Sequence, residues 1–341
     1  MTSQSLLTSH PVLDLEQMHQ TFQTSGIDTQ LQDNQLTLEN GTLATVITAV
    51  PVYGESLDSG PVAGLLRIRT EITQYLCESP ASDPDPDQRM DRINRSAAMG
   101  AVYRDETGYT VGSRLTVRAG VRWEPSLLPL VFAAAVGAAP GMINAVQRID
   151  RHQPPVDSAP GTWTVRDLEK AVSFLSRLSA CTSDESGLTA QFSLASRAII
   201  PVRSEDQAVR WQLRTDHTHP AIGGGLFASL ELPSGIQDRA ERVQLVRALN
   251  RREIDSVDGP PHFGAWTDGD TRDRIAYTTF LPNELREAPG IAVTLSFWAL
   301  NRALWVSDVM RSTPGVRGGW SAGGGCGVGG ATIYVRGSAS E

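Results

Sequence analysis

Lysine is almost missing from this chain: Lys170 is the only one in 341 residues. Lysine-dependent chemistries are therefore excluded unless Lys170 carries them. No Lys or Arg at all precedes Arg67, while Asp14, Glu16, Asp28, Asp33, Glu39, Glu55 and Asp58 are acidic. With a net charge of -8, that surface repels nucleic acid and anionic lipid. It suits a basic peptide, or simply a solvated acidic face. Cysteine is scarce too. Cys77, Cys181 and Cys326 are odd in number and far apart, which points to reduced thiols and not to a disulfide framework. The start, MTSQSLLTSHPVLDLEQ, lacks the basic and apolar segments of a signal peptide, so a cytoplasmic location is expected.

What is present is ordinary for a globular protein: 40% hydrophobic and 20% charged residues. The length suits two domains at roughly 150 residues each. The longest apolar stretch of the first half, LLPLVFAAAVGAAPGMINAV at Leu127–Val146, has the length of a membrane span. Pro129, Gly137, Pro140, Gly141 and Asn144 dilute it, and no basic cluster marks one side as cytoplasmic. It reads as a buried helix on a sheet, broken near Gly137–Pro140. A second apolar helix is expected over Pro289–Met310.

In chain order, Asp14 with Gln17 caps a helix over Asp14–Ser25, with Leu15, Met18 and Phe22 on one face. Strands are expected at Gln35–Glu39 and Leu43–Val50. Another runs over Leu66–Ile72, where Leu66, Ile68, Thr70 and Ile72 alternate with Arg67, Arg69 and Glu71. A helix ending at Asn94–Arg95 precedes strands at Met99–Arg104 and Tyr109–Arg118. Residues 151–161, RHQPPVDSAPG, read as a linker. The order then returns. A helix capped by Thr164 and Asp167 runs to Cys181. Strands around Leu188–Leu194, Val209–Leu213 and Leu226–Leu232 follow it. A helix opened by Ser234 and Gln237 ends at Asn250–Arg251, and strands at Phe263–Thr267 and Ile275–Leu281 lead to the closing helix.

Residues echo as well as elements. INR at Ile93–Arg95 matches LNR at Leu249–Arg251, and MGAV at Met99–Val102 matches FGAW at Phe263–Trp266. Matches in the same order in each half point to a tandem duplication. The predicted class is α+β: two tandem α-β-β-β-α-β-β-α domains, 1–150 and 162–312, forming a pseudo-dimer, with a Gly-rich tail at 313–341.

This element order, with its acidic start and apolar last helix, resembles the type III secretion chaperone fold and the related YbjN-like bacterial proteins, over about 14–149 and 164–311. The resemblance implies a non-catalytic binding module that holds extended segments of protein partners at sheet edges and in apolar grooves, with no cofactor. The chain departs from secretion chaperones in being about twice as long and in its Gly-rich end. Partner contacts are expected at strand edges carrying Leu66, Ile68 and Ile72, and Val209, Trp211 and Leu213, and on the apolar last helices. Nucleic acid and a membrane span are not expected; a homo-oligomer is compatible with the sequence.

Other motifs give weaker readings. Gly319-Trp320-Ser321-Ala322-Gly323 fits G-x-S-x-G but has no histidine after it. Gly325, Gly327 and Gly330 fit G-x-G-x-x-G, with too little chain left for a dinucleotide unit. In Asp216-His217-Thr218-His219, two histidines two apart make a candidate metal pair, with His262 or Asp268 as a third ligand. A metal-dependent enzyme is thus the alternative from another class, against a hairpin turn with exposed histidines. Arg239, Arg242, Arg247, Arg251 and Arg252 decorate one helix, either as a solvated face or as a patch for an acidic partner, including the acidic first half. Pairing of such faces between chains would make a structural oligomer subunit. Trp298 and Trp305, seven apart, share a helix face suited to the core.

Overall fold

The computed structural model describes residues 13–51, 62–77, 85–118, 124–157, 163–177, 180–195, 198–200, 207–257, 259–269, 273–288 and 290–312. The first half holds helix α1 (Leu15–Thr24), strands β1 (Thr29–Gln32), β2 (Gln35–Asn40), β3 (Leu43–Pro51) and β4 (Val62–Glu71), and helices α2 (Thr73–Cys77) and α3 (Pro86–Arg95). Strands β5 (Ala101–Arg104) and β6 (Tyr109–Arg118) and helix α4 (Glu124–Asp150) complete it. The second half holds α5 (Val165–Ala171), β7 (Ala180–Asp184), β8 (Gly187–Ala195), β9 (Ala198–Ile200) and β10 (Val209–Arg214). It continues with β11 (Thr218–His219), β12 (Gly223–Pro233), α6 (Arg239–Asp255), β13 (Ala265–Asp268), β14 (Arg274–Pro282) and α7 (Ile291–Ser312).

The architecture is α+β, with two antiparallel sheets. The first runs β1-β2-β3-β4-β6-β5 and the second β7-β8-β10-β12-β14-β13, with β9 added to β8 and β11 to β12. Taken from the outer edge inward, the two paths have the same order. In each sheet the apolar residues of the alternating strands point to one face. There α4 covers the first sheet and α7 the second. Phe22 stacks on Phe132 of α4 at 4.8 Å, and Trp298 of α7 stacks on Phe263 at 5.7 Å. Trp305 is half-buried against the same core.

Helix α4 is continuous, although a break was expected near Gly137–Pro140. An interior proline costs about 3 kcal/mol. The helix buries Leu127, Leu130, Val131, Met142, Ile143 and Val146, at about 1.5–3 kcal/mol for each fully buried large side chain. Burial therefore outweighs both prolines. The segment is long and apolar enough to cross a membrane; here it lies on the first sheet.

Other boundaries differ from expectation. The helix from Thr164 stops at Ala171, with Val172 as C-cap, and tightens into a 3-10 turn at Ser173–Arg177 that buries Leu175 and stacks Phe174 on Phe297 at 4.5 Å. Cys181 lies in β7. Helix α6 begins at Arg239, because Asp238 caps it by accepting from Glu241 N. Ser234 instead spends its hydroxyl on the Asp273 carbonyl. Helix α6 also runs one turn past Asn250–Arg251, to Asp255. Strands β1 and β7, the outermost strand of each sheet, were not expected, nor was the short β9. Residues 151–157 are exposed, and Val156 N donates to the Pro220 carbonyl. The motifs at Gly319–Gly323 and Gly325–Gly330 lie outside the described residues.

The halves meet through α3, α6 and the inner edges. Helix α3 packs on both β5 and β13, and α6 packs on both β13 and β5. The echoed asparagines do the same work in both places. Asn94 Nδ2 donates to the Val102 carbonyl at 2.9 Å, and Asn94 Oδ1 accepts from Val102 N at 2.7 Å. Asn250 holds Trp266 in the same way, at 3.0 and 2.7 Å. Each buried amide thus satisfies an edge strand that lacks a neighbour there.

Candidate binding groove

The strands expected to offer edges are interior. β4 lies between β3 and β6, and β10 between β8 and β12. Leu66, Ile68 and Ile72 are 0, 3 and 0% exposed, and Val209, Trp211 and Leu213 are 0, 2 and 0%. Their alternation reported a face turned to the core, which occurs in every strand of a covered sheet whether central or at the edge. These six residues are core, and no partner strand has access to them. Among the described residues the open edges are β1 and β7, whose side chains are mostly exposed and polar.

The histidines do not converge. His219 is buried, and both ring nitrogens are engaged. Nε2 lies 3.1 Å from the Ser96 carbonyl, and Nδ1 accepts from Ala221 N and Ile222 N at 3.3 and 3.2 Å. No lone pair is left for a metal. His217 rests on Phe227, ring centres 4.5 Å apart. Burial lowers the pKa of both. Asp268 is taken by Arg242 at 2.8 Å and Arg239 at 3.1 Å. Among the described residues no cluster of three His, Cys, Asp or Glu is placed to hold a metal.

His262 belongs to a different constellation. Glu253, near the end of α6, is 0% exposed. Its Oε1 accepts from Arg302 Nε at 2.7 Å, and its Oε2 from His262 Nδ1 and Trp266 Nε1, each at 2.8 Å. Burial by itself raises this carboxyl's pKa, yet Arg302 and His262 bring it down to about 2. An ionised carboxylate only accepts, so His262 Nδ1 carries the proton and donates. Burial pushes His262 below its usual range, leaving a neutral ring. The Arg302 guanidinium lies 3.6 Å over the Tyr277 ring. Arg114 joins from β6. Its guanidinium donates to the Ser256 and Pro260 carbonyls, and its backbone pairs with His262 across the junction. A carboxylate and histidine at this distance suggest a catalytic dyad. Here both are fully enclosed; Glu253, His262, Trp266 and Arg302 brace the second half from within, and Arg114 alone reaches into it across the junction. Removing one member of such a set costs about 3–5 kcal/mol.

The outer face of the second sheet carries a groove of about 510 Å³. Its floor includes Gln212, Ser229 and Thr278, which stand directly opposite one another across β10, β12 and β14. Phe227 borders them, and Arg95, Arg239 and Arg242 form the walls. Ser229 is 4% exposed and makes no side-chain hydrogen bond among the described residues. The Thr278 hydroxyl is buried without a partner. Leaving such groups unsatisfied costs about 1–3 kcal/mol each. Arg95, at the end of α3, is exposed and has no ion-pair partner among the described residues.

No protein-family model, no curated protein and no solved structure matches this chain.

Of the helix arginines, Arg247 reaches the first half. It pairs with Asp91 at 2.6 Å and Asp87 at 3.2 Å. The acidic partner of the basic helix is therefore, at this position, the acidic half of the same chain. Sequence reasoning missed Glu253 and Arg302. The available signal was Arg302 itself, an isolated charge in an apolar helix, which requires a buried counter-charge. It also missed the groove, because its floor residues read as a solvated strand face.

Proposed function

We propose that the chain is two copies of one chaperone-like unit, joined as a pseudo-dimer, and that it binds extended protein segments along β1 and β7. Support for the duplication comes from the shared strand order and from Asn94 and Asn250, which hold Val102 and Trp266 with the same pair of hydrogen bonds. The observation that carries the binding reading is which edges remain open. The inner edges β5 and β13 face the junction, and among the described residues β1 and β7 have no strand on their outer side. A strand added there gains main-chain hydrogen bonds. Leu31 on β1 is an exposed apolar side chain that such a segment would cover.

The test is capture of partners by the intact chain from its host's lysate, with proline placed at Gln30 or Leu31, and at Cys181 or Thr182. Successive N–H groups point to opposite sides of a strand. One proline of each pair therefore blocks the outward side and leaves the ladder intact. A recurrent protein that is lost with the outward-blocking variants supports the reading. Retention of the same protein with both edges blocked overturns it.

A further inference from the structure

The two halves treat one equivalent surface in opposite ways. Ala101 stands opposite Gly112, and Ala265 stands opposite Thr278. Following the ladders inward from those pairs, Val46, Arg69 and Gly112 occupy the places of Gln212, Ser229 and Thr278. In the first half this surface is filled. The last turn of α6 lies over it, and Arg69 pairs with Asp255 at 3.5 Å. A Cβ on Gly112 would lie 2.6 Å from Tyr103 and 3.3 Å from Ile254. In the second half α3 ends at Arg95, the place of Arg251, so no such turn exists. Thr267 stands where Tyr103 stands. The space left is the groove.

We propose that this groove is a binding site for a small molecule bearing a carboxylate or phosphate group. Its volume lies within the range of about 300–1,000 Å³ typical of small-molecule sites. Its polar groups are unspent: the Gln212 amide, the Ser229 and Thr278 hydroxyls and the Arg95 guanidinium have no partners among the described residues. Its charge is locally cationic in an acidic chain. Three lining guanidiniums face two lining carboxylates, Glu231 and Asp268, and Asp268 is already shared by Arg239 and Arg242. Further along the same face, Arg274 lies 3.7 Å from Glu231, and Arg210 directly opposite Glu231 has a buried, unpartnered Nε. The anionic group meets Arg95 and Arg239 at the wall, the hydroxyl row takes its polar remainder, and Phe227 packs against carbon. The site takes one wall from each half, so the intact chain is needed to form it. It is separate from β1 and β7, and it stands or falls independently of partner binding there.

The experiment is calorimetric titration of the full chain with inorganic phosphate and, separately, succinate, at constant ionic strength. We expect saturable binding of at least one of them at one per chain. Preference for phosphate identifies a phosphoryl ligand, and preference for succinate identifies a carboxylate. Arg95→Gln removes an exposed, unpaired group and leaves the melting temperature unchanged, while weakening binding tenfold or more. Ser229→Ala weakens it a few-fold. Absence of saturable binding for both anions overturns the proposal. So does binding that neither substitution alters.

Discussion

Two asparagines and one glutamate show how much a single side chain decides in this fold. Asn94 and Asn250 each replace a missing strand neighbour, and no hydrophobic residue of that size does so. Asn250→Ala leaves Trp266 N–H and its carbonyl buried without partners. We expect a loss of about 2–4 kcal/mol, counting about 1–3 for each stranded group less partial relaxation, read as a lower urea midpoint. Asn94→Ala has a similar effect through Val102. The echo of INR and LNR made these positions visible before the structure, although not their role. Glu253 was invisible, because a glutamate within a run of arginines looks like surface charge. Its folded pKa of about 2 lies below the usual 4.5, so the unfolded chain takes up the proton first. The stability it contributes is full above about pH 4.5 and is lost as the pH falls toward 2, an effect of about 3 kcal/mol. His262, also shifted down, adds a loss that begins as the pH drops through its unfolded value of 6.5. Urea midpoints at pH 7, 5 and 3 should fall steadily. Glu253→Gln should be less stable at pH 7 and flatter below pH 5.

At the scale of elements, periodicity located most strands and helices, since burial on one face imposes it directly. It failed in two ways. It could not tell a central strand from an edge, so Leu66–Ile72 and Val209–Leu213 were read as edges although both are interior. It also passed over β1 and β7, whose exposed side chains leave no apolar period to find. Helix ends carried the largest consequence. At its C-terminal end helix α6 exceeds its counterpart α3 by about one turn, and that turn covers one sheet face while its absence opens the other. Gly112 marks the covered side. Gly112→Val should destabilise the chain by about 1–3 kcal/mol through overpacking against Tyr103 and Ile254, measured by thermal melting. The matching exchange Thr278→Val, beside open space, should change stability far less.

At the scale of the whole molecule, the junction joins the acidic first half to the basic helix of the second. Arg247, with Asp87 and Asp91, is partly exposed, so its worth is about 1 kcal/mol or less and falls with salt. Arg247→Ala should therefore lower the melting temperature slightly, and the difference should shrink in high salt. The buried bonds of Arg114 to the Ser256 and Pro260 carbonyls cross the junction out of the reach of salt, and they should hold the halves in one cooperative transition. Calorimetry of the full chain should show a single peak for the wild type. Arg114→Ala should split or broaden it.

Arg114 also imposes a schedule on biosynthesis. It sits in a strand of the first half, yet the carbonyls that receive its guanidinium come from Ser256 and Pro260. While a ribosome is still translating the segment after α4, that guanidinium has no acceptor. Until α6 and the loop beyond it have emerged, water must take the place of those carbonyls at the Arg114 guanidinium.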